Sequence, residues 1–309
     1  MAFGYGPLDD LQNELDVARN IINPPEGTPL PIGVGFLVWL LEKNTLQAEN
    51  LLAKACDAQV QAIWLSFGDN IGHWIEFIRL HDPNAGKKAA IKIFVQISTI
   101  DQALCALNNW QVDVIVAQGN EAGGHGLSDS LPILTLIPLL KGVIETAASD
   151  RQNQPPLLAA GGLARGSQIA SLLALGASGV VIGTRFLLSP ESLYTDSQRE
   201  ALLKADSSSS VRTMAFDQAR NTLGWPEGVD GRGLRNDTVV DYENGLEIDT
   251  LRSRFAEGVK SGNSARMVVW AGSGVGLMNT IKSAKDITKE LHEECLATLQ
   301  RVSTLVQYK

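Results

Sequence analysis

Short apolar runs alternate along the chain with stretches whose apolar residues recur every three or four positions. The runs are rich in β-branched residues and end in glycine or polar residues, which is typical of buried parallel strands. Strands that alternate with helices at this spacing indicate parallel βα units, and therefore an α/β fold. The predicted strands are residues 32–37, 62–68, 91–97, 112–116, 156–160 and 179–182.

The stretches between the runs have the apolar spacing of amphipathic helices. In the helix predicted over residues 45–55, we expect Leu46, Leu51 and Leu52 to face inward. Ser283 and Asp286 have capping-box spacing and begin a long C-terminal helix. Its apolar stripe consists of Ile287, Leu291, Cys295, Leu299, Val302 and Val306. The other predicted helices cover residues 7–22, 71–80, 164–175, about 189–204, and a segment that starts at Thr99 or Asp101.

A polar loop with four glycines, Gln118 to Gly126, follows the apolar run 112–116. In parallel α/β proteins the carboxyl ends of the strands are where chemistry takes place. Histidine is the side chain whose unperturbed pKa lies nearest neutrality. We therefore interpret His125 as the catalytic candidate, and the alternative is a structural histidine bonded to a carbonyl. The structural interpretation is preferred for the remaining histidines, His73, His81 and His292.

Two later strands end in glycine turns, Gly161-Gly162 and Gly183-Thr184, and the first turn leads into a helix. Backbone N–H groups of such turns, together with a helix N-terminus, favour negative charge. In TIM barrels the loops after strands 7 and 8 form the usual phosphate clamp. The pair of turns predicts a phosphate site, although tight βα turns need glycine in any case.

Two segments of the chain resemble a known family. AQGNEAGGHG at residues 117–126 and LLAAGGLARGSQIASLLALGASGVVIGTRFL at 157–187 are similar to the nitronate monooxygenases, which are FMN-dependent TIM barrels. The resemblance runs from about residue 4 to about residue 287, with a divergent part near 190–262. The related FMN-dependent enoyl reductases carry a similar Gly-Gly-His.

The resemblance implies roles for particular residues. His125 would lie beside the flavin as a base or as a hydrogen-bond donor to the substrate, and Ser66 and Gly68 would lie on the substrate side. Gln118 would reach the flavin ring, or would simply cap the loop. Glu121 would orient His125, or would be solvated. The implied FMN-binding residues are Gln118, Gly123, Gly124, Gly161, Gly162, Gly183 and Thr184.

The fold class predicted is α/β, a (β/α)8 TIM barrel that lacks its first two strands. Residues 1–6 look like the tail of the second strand, and six further strands follow. Residues 1–186 would form the barrel portion. Residues 187–262 would be an insertion, either a lid over the barrel mouth or a passive surface segment. Residues 263–309 would return to the barrel and add the C-terminal helix, and GSGVG at 272–276 is only a weak dinucleotide signal.

The function implied is FMN-dependent oxidation of alkyl nitronates, and of nitroalkanes, by dioxygen. The first alternative is an NAD(P)H-dependent enoyl reductase with FMN. The second is a truncated remnant without catalytic activity, because missing strands would remove one wall of the flavin site.

Composition limits the partners and the location. A net charge of −8 without a long basic run argues against nucleic acid or an anionic membrane surface as a partner. The three cysteines, Cys56, Cys105 and Cys295, form no CxxC, so we expect buried thiols in a reducing compartment and no metal site. Without a signal pattern or a spanning apolar run, we predict a cytoplasmic protein. A homodimer is compatible with the sequence.

Overall fold

The structure is a computed structural model that describes residues 2–3, 6–147 and 154–306. The chain forms two compact units, and each is made of two separate stretches. The first comprises Met1–Val116 and Gly142–Pro156, and the second comprises Ala117–Lys141 and Leu157–Lys309.

Parallel strands and helices alternate in the first unit, as the sequence predicted. The elements are β1 (Ala2–Phe3), α1 (Leu8–Ile22), β2 (Leu30–Leu37), α2 (Val38–Leu41), α3 (Thr45–Asp57), β3 (Val60–Ser66), α4 (Ile71–His81), β4 (Lys92–Ile97), α5 (Ile100–Cys105), a π-helical turn (Ala106–Trp110), the start of β5 (Val114–Gln118) and the end of α6 (Ile133–Ala147).

The strands of the first unit are held in register by a buried apolar row. β1 pairs with β2, β2 with β3 and β3 with β4, all in parallel. Val34 lies opposite Ile63, and Ile63 lies opposite Ile93. All three side chains are fully buried, so a slip of one residue would move the row to the other face of the sheet.

Side-chain caps set the helix starts in the first unit. Asn44 accepts the N–H of Gln47 at the start of α3, and Thr99 accepts the N–H of Gln102 at the start of α5, so α5 begins after Thr99. The prediction that Leu46 faces inward is wrong, because this side chain is 71% exposed. Leu46 lies two positions from the buried Ala48, which is about 200° around the helix.

The second unit combines further βα elements with a region of short strands and helices. It contains the end of β5, β6 (Gly124–Leu127), the start of α6, β7 (Leu157–Ala160), α7 (Gly166–Ala174), β8 (Gly179–Val181), α8 (Asp196–Lys204), β9 (Ser210–Thr213), α9 (Ala215–Arg220), β10 (Val229–Leu234), α10 (Asp237–Glu243), α11 (Ile248–Ser261), α12 (Ala284–Val306) and 3-10 turns at Thr184–Leu188, Ser207–Ser209 and Ser273–Leu277.

Parallel and antiparallel strand pairs both occur in the described part of this unit. β7 and β8 pair in parallel, as predicted. β6, β10 and β9 form an antiparallel sheet in that order, which the sequence did not predict. The loop of residues 118–126 therefore contains a strand, and the segment 222–241, which we predicted as loop, contains β10 and α10. The sequence of β10, VDGRGL, lacks apolar alternation because glycines occupy one of its faces.

α8 begins later than predicted, at Asp196 instead of near residue 189. Thr195 is the reason, because its hydroxyl accepts the N–H of Gln198 while the side chain of Gln198 accepts the N–H of Thr195. This reciprocal capping box stops the helix from extending toward Pro190.

The C-terminal helix α12 packs along α7 within the second unit. Ser283 and Asp286 make the predicted capping contacts. Ile287, Leu291 and Cys295 are buried, but Leu299 and Val302 are 37% and 51% exposed, so the predicted stripe is buried only over its first half. The side chain of Val306 lies outside the described residues. No helix in the described ranges, α12 included, is long and apolar enough to cross a membrane.

A carboxylate just before β5 ties α4 to β4. Asp113 accepts hydrogen bonds from the Arg79 guanidinium at 2.6 Å and from the N–H of Ile93 at 2.8 Å. Burial by itself would raise the pKa of Asp113, but the Ile93 N–H and Arg79 outweigh burial and lower it. A lowered pKa in the folded state adds stability above the unfolded-state pKa, and this stability is lost as the pH falls through the folded-state pKa.

We expect Asp113→Asn to lower the free energy of unfolding by about 1–3 kcal/mol at neutral pH, because the Arg79 guanidinium loses its charged acceptor. The difference from the wild type should shrink in acid, where the wild-type carboxylate is itself protonated. Urea unfolding followed by circular dichroism at several pH values measures this. Asp69→Asn, at an exposed carboxylate in the same unit, is the control and should leave stability unchanged. A constant difference at every pH would contradict the interpretation.

Candidate functional site

The first glycine turn follows β7 and has a backbone that only glycine adopts readily. Gly161 has φ of 119° and Gly162 has φ of 68°. A β-carbon on Gly162 would lie 2.8 Å from Cβ of Glu121 and 3.1 Å from the Ser273 hydroxyl. The turn is thus pressed between the loop after β5 and the 3-10 turn at Ser273–Leu277.

The second glycine turn, Gly183-Thr184, contacts the same two segments. The Thr184 hydroxyl accepts the N–H of Gly272 at 3.0 Å. A β-carbon on Gly123 would lie 2.9 Å from that hydroxyl and 2.5 Å from the Gly272 nitrogen. The structure therefore brings both turns against residues 272–274, as a shared phosphate site requires.

The segment 272–276 is a bridge between the turns. A β-carbon on Gly274 would lie 2.3 Å from the carbonyl oxygen of Gly162, so only glycine permits this approach. The segment forms a 3-10 turn without the strand and helix of a dinucleotide-binding motif. The weak sequence signal for that motif is therefore wrong, and the close approach to Gly162 explains the glycine at position 274.

The N-terminus of α7 does not contribute to an anion site, contrary to the prediction. The side-chain oxygen of Gln168 accepts the N–H groups of Ala164 and Arg165 at 2.8 and 3.1 Å. Glu294 of α12 accepts the N–H of Gly166 at 2.9 Å and the Ser167 hydroxyl at 3.2 Å. The chain's own acceptors occupy these donors, so an anion would depend on the two turns.

The strand β6 separates the other candidates onto two faces. His125 lies opposite Gly231 and Gly126 lies opposite Asp230, and paired residues share a face of an antiparallel sheet. A β-carbon on Gly231 would meet the Trp270 ring at 2.5 Å and Nε2 of His125 at 3.6 Å. His125 therefore belongs to the Gly231 face.

On that face the imidazole of His125 is paired with a carboxylate. Its Nε2 lies 2.9 and 3.0 Å from the two oxygens of Asp217 on α9. Asp217 is fully buried and also accepts the Thr222 hydroxyl at 2.8 Å. Trp225 stacks on the imidazole at 3.7 Å between ring centroids, and Trp270 meets it edge-on at 5.1 Å.

Glu121 is neither a partner of His125 nor a free solvated group. Both of its oxygens lie 3.0 Å from the N–H of Ile133, so it caps the first turn of α6. Pro132, which precedes this turn, has no side-chain acceptor, so Glu121 from another part of the chain caps the helix.

The opposite face of the small sheet carries Gln118 and two arginines. The Gln118 amide donates to the carbonyl of His125 at 3.1 Å, and its oxygen is buried without a hydrogen-bond partner among the described residues. Arg212 and Arg232 lie opposite each other on β9 and β10, and both donate to the carbonyl of Asn120. Gln118 and the imidazole of His125 therefore do not share a face, although the sequence placed them together at the flavin.

Burial shifts the pKa values of the ionisable groups on the arginine face. It lowers the pKa of Arg232, and the neighbouring Arg212 lowers it further. It also raises the pKa of Asp230, although Arg212 donates to this carboxylate at 2.6 Å. Asp230 accepts from Arg212, and its charge and that of Glu121 act on the pKa of Arg232 in the direction opposite to burial.

The predicted substrate residues Ser66 and Gly68 belong to the first unit. Ser66 is buried at the end of β3. The loop after it is fixed by Glu42, whose carboxylate accepts the N–H groups of Asp69 and Asn70. A substrate role for Ser66 and Gly68 stays a prediction.

Comparison with known proteins decides the family. A family model described as nitronate monooxygenase matches residues 37–294. The chain belongs to the nitronate monooxygenase family. It is 30% identical to the nitronate monooxygenase of Neurospora crassa, over 97% of this chain and 81% of the relative. The predicted family is confirmed, and with it the prediction of an oxidoreductase enzyme.

Solved structures show the same fold. Nitroalkane oxidase from Streptomyces ansochromogenes aligns with a TM-score of 0.74 at 22% identity, over 98% of this chain and 89% of that one. The enoyl reductase domain of MlnA from Bacillus amyloliquefaciens aligns at 0.73 with 11% identity, over 99% and 90%. These neighbours are TIM-barrel enzymes and the predicted α/β class is confirmed, while the absence of two strands stays a prediction.

Sequence reasoning missed Asp217, Trp225 and Trp270 around His125. Asp217 is 92 residues from His125, and nothing in the spacing connects the two. Only the pairing of β6 with β10 brings this region to the loop, and β10 itself carried no recognisable strand pattern.

We expect Gly274→Ala to lower the free energy of unfolding by about 1–3 kcal/mol, because the new methyl group forces the Gly162 backbone away. Gly142→Ala is the matched control. It lies within α6 with no heavy atom within 4 Å of the β-carbon position, so we expect it to be neutral or to stabilise by about 0.5–1 kcal/mol. Urea unfolding measures both variants, and equal stabilities would show that residues 272–274 do not press on the turn.

Proposed function

We propose that this member of the nitronate monooxygenase family binds FMN and oxidises alkyl nitronates, and neutral nitroalkanes, with dioxygen. Family membership supports the reaction class, since the Neurospora crassa relative is named a nitronate monooxygenase and a protein of the same fold is a nitroalkane oxidase. The observation that carries the proposal is the pair of glycine turns gathered on residues 272–274.

The residues of the turns fit the phosphate of FMN. Gly183 has no heavy atom within 4 Å of its β-carbon position, so there is open space beside its backbone. The phosphate would be held by backbone N–H groups around Gly161, Gly162, Gly183 and Thr184, as in other glycine-rich phosphate sites.

The flavin ring would be met by Gln118 and by the loop with Gly123 and Gly124. The unpartnered oxygen of Gln118 fits a ring N–H, which would satisfy a buried acceptor. Arg212 and Arg232, whose guanidinium groups lie on the same face, would stabilise negative charge on the ring. When bound, FMN supplies the acceptance of substrate electrons and their transfer to dioxygen.

His125 has a separate task in this proposal, because its imidazole lies on the other face of β6. The side chain is 12% exposed, so part of the ring is open to a small molecule. A protonated imidazole would stabilise the negative charge of a nitronate, and a neutral one would take the α-proton of a nitroalkane. Gln118 therefore serves the cofactor, and His125 serves the substrate.

We expect the purified protein to release FMN on denaturation, and the bound flavin to bleach anaerobically on addition of an alkyl nitronate. Rapid bleaching by NAD(P)H with no response to nitronate would favour the enoyl reductase alternative. A protein that binds no FMN under any condition would favour the remnant.

His125→Asn should keep the flavin but slow reduction by a nitroalkane about 10²- to 10⁴-fold, the usual contribution of a general base.

Gly183→Ala tests the phosphate site separately. Its φ of −108° suits alanine, and the added methyl group meets no atom of the chain, so stability of the flavin-free protein should stay within about 0.5 kcal/mol of wild type. The methyl group would occupy the space assigned to the phosphate, so FMN affinity should fall about 10-fold or more, which is about 1.4 kcal/mol. Titration of flavin fluorescence measures the affinity. Unchanged binding would place the phosphate elsewhere, and Gly142→Ala serves as the control.

A further inference from the structure

The carboxylate of Asp217 is fully buried and has two donors among the described residues. These are the hydroxyl of Thr222, at 2.8 Å from Oδ1, and Nε2 of His125, at 2.9 and 3.0 Å from the two oxygens. A carboxylate only accepts hydrogen bonds, so Nε2 must carry a proton in this arrangement. Removal of His125 would leave the buried Oδ2 without a donor.

The pairing determines what the other ring nitrogen does. If Nε2 holds the proton of the neutral ring, then Nδ1 carries the lone pair. Nδ1 has no hydrogen-bond partner within the described part of the chain. It is therefore the nitrogen left for an external molecule.

Aromatic packing keeps the imidazole from turning over. Trp225 lies almost parallel to the ring, with 11° between the planes, and Trp270 stands at 61° to it. On the backbone side, Gly231 leaves just enough room, since a β-carbon there would already lie 3.6 Å from Nε2. These contacts hold the ring with Nε2 directed at Asp217.

Asp217 comes from α9, within the segment 187–262 that the sequence assigned either to a lid or to a passive insertion. A buried carboxylate that accepts from the imidazole of His125 does not fit a passive surface segment. This segment supplies a group that acts on the catalytic candidate.

We infer that Asp217 is a positioning residue for His125. It holds the imidazole in the Nε2–H tautomer and directs Nδ1 to the substrate, so that Nδ1 is the atom that takes the α-proton of a nitroalkane. The second part rests on the proposed function, and the first part does not.

Nitrogen-15 NMR of histidine-labelled protein, without substrate, tests the tautomer directly. The two ring nitrogens of a neutral histidine have distinct shifts according to which one is protonated, and His125→Asn identifies the signals. We expect a single Nε2–H tautomer in wild type. In Asp217→Asn the side chain keeps its size but carries both a donor and an acceptor. It can therefore pair with either form of Nε2, so His125 in this variant should become a mixture of tautomers. An Nδ1–H tautomer in wild type, or an unchanged tautomer in Asp217→Asn, would overturn the inference.

Two further variants separate positioning from stability. Thr222→Val removes one donor to Asp217 and should loosen the fold, but it keeps the carboxylate and therefore the Nε2–H tautomer. Asp249→Asn, at an exposed carboxylate on α11, should change neither property. If Thr222→Val shifts the tautomer as much as Asp217→Asn does, the effect is one of general loosening and the inference fails.

Kinetics tests the second part. Asp217→Asn should lower kcat for a neutral nitroalkane at least about 10-fold, within the 10²–10⁴-fold range of general-base catalysis, with KM little changed. A preformed nitronate needs no proton removal and should be affected less. Equal losses for both substrates would overturn the assignment of Nδ1 as the base. A wild type inactive on both would refute the proposed function, while the NMR result would still decide the role of Asp217.

Discussion

Close backbone contact between three segments of the second unit is the constraint on which the candidate site depends. The loop after β5, the turn after β7 and the segment 272–274 approach one another at distances that leave no room for a β-carbon at Gly123, Gly162 or Gly274. Side chains of ordinary size would hold these segments several ångströms apart. Contact between main chains instead lets the segments bond directly, because the N–H of Ser273 donates to the carbonyl of Glu121 and the N–H of Gly272 donates to the Thr184 hydroxyl.

Other elements hold these segments in place. Glu294 of α12 and Gln168 satisfy the N-terminus of α7, so the helix that follows the first turn is fixed by the chain itself. Beside the second turn, the guanidinium of Arg185 is buried and donates to the carbonyl of Thr280, close to the start of α12. α12 and the segment just before it thus hold the residues that follow both turns.

The antiparallel sheet of β6, β10 and β9 brings side chains of the segment between residues 187 and 262 next to His125 and Gln118. One face of this sheet carries a buried acid, an imidazole and two indole rings, and the other carries an amide and two guanidinium groups. A strand one residue out of register would exchange these faces. The alternation along β6 therefore turns His125 toward Asp217, whereas a β-carbon on the next residue, Gly126, would lie 2.9 Å from the side-chain oxygen of Gln118.

The sequence alone determined the alternation of strands and helices, the family, and the glycine turns after two consecutive strands. These follow from local patterns, because apolar periodicity and glycine punctuation act over a few residues. It also singled out His125 as the catalytic candidate, because this histidine lies in a glycine loop at a strand end, and that role stays a prediction. Only the tertiary structure decided that Asp217 is the partner of His125, that Glu121 caps α6 and that Gln118 faces the arginines. Each of these depends on which distant segments pair, and no local pattern in β10 or α9 encodes that pairing.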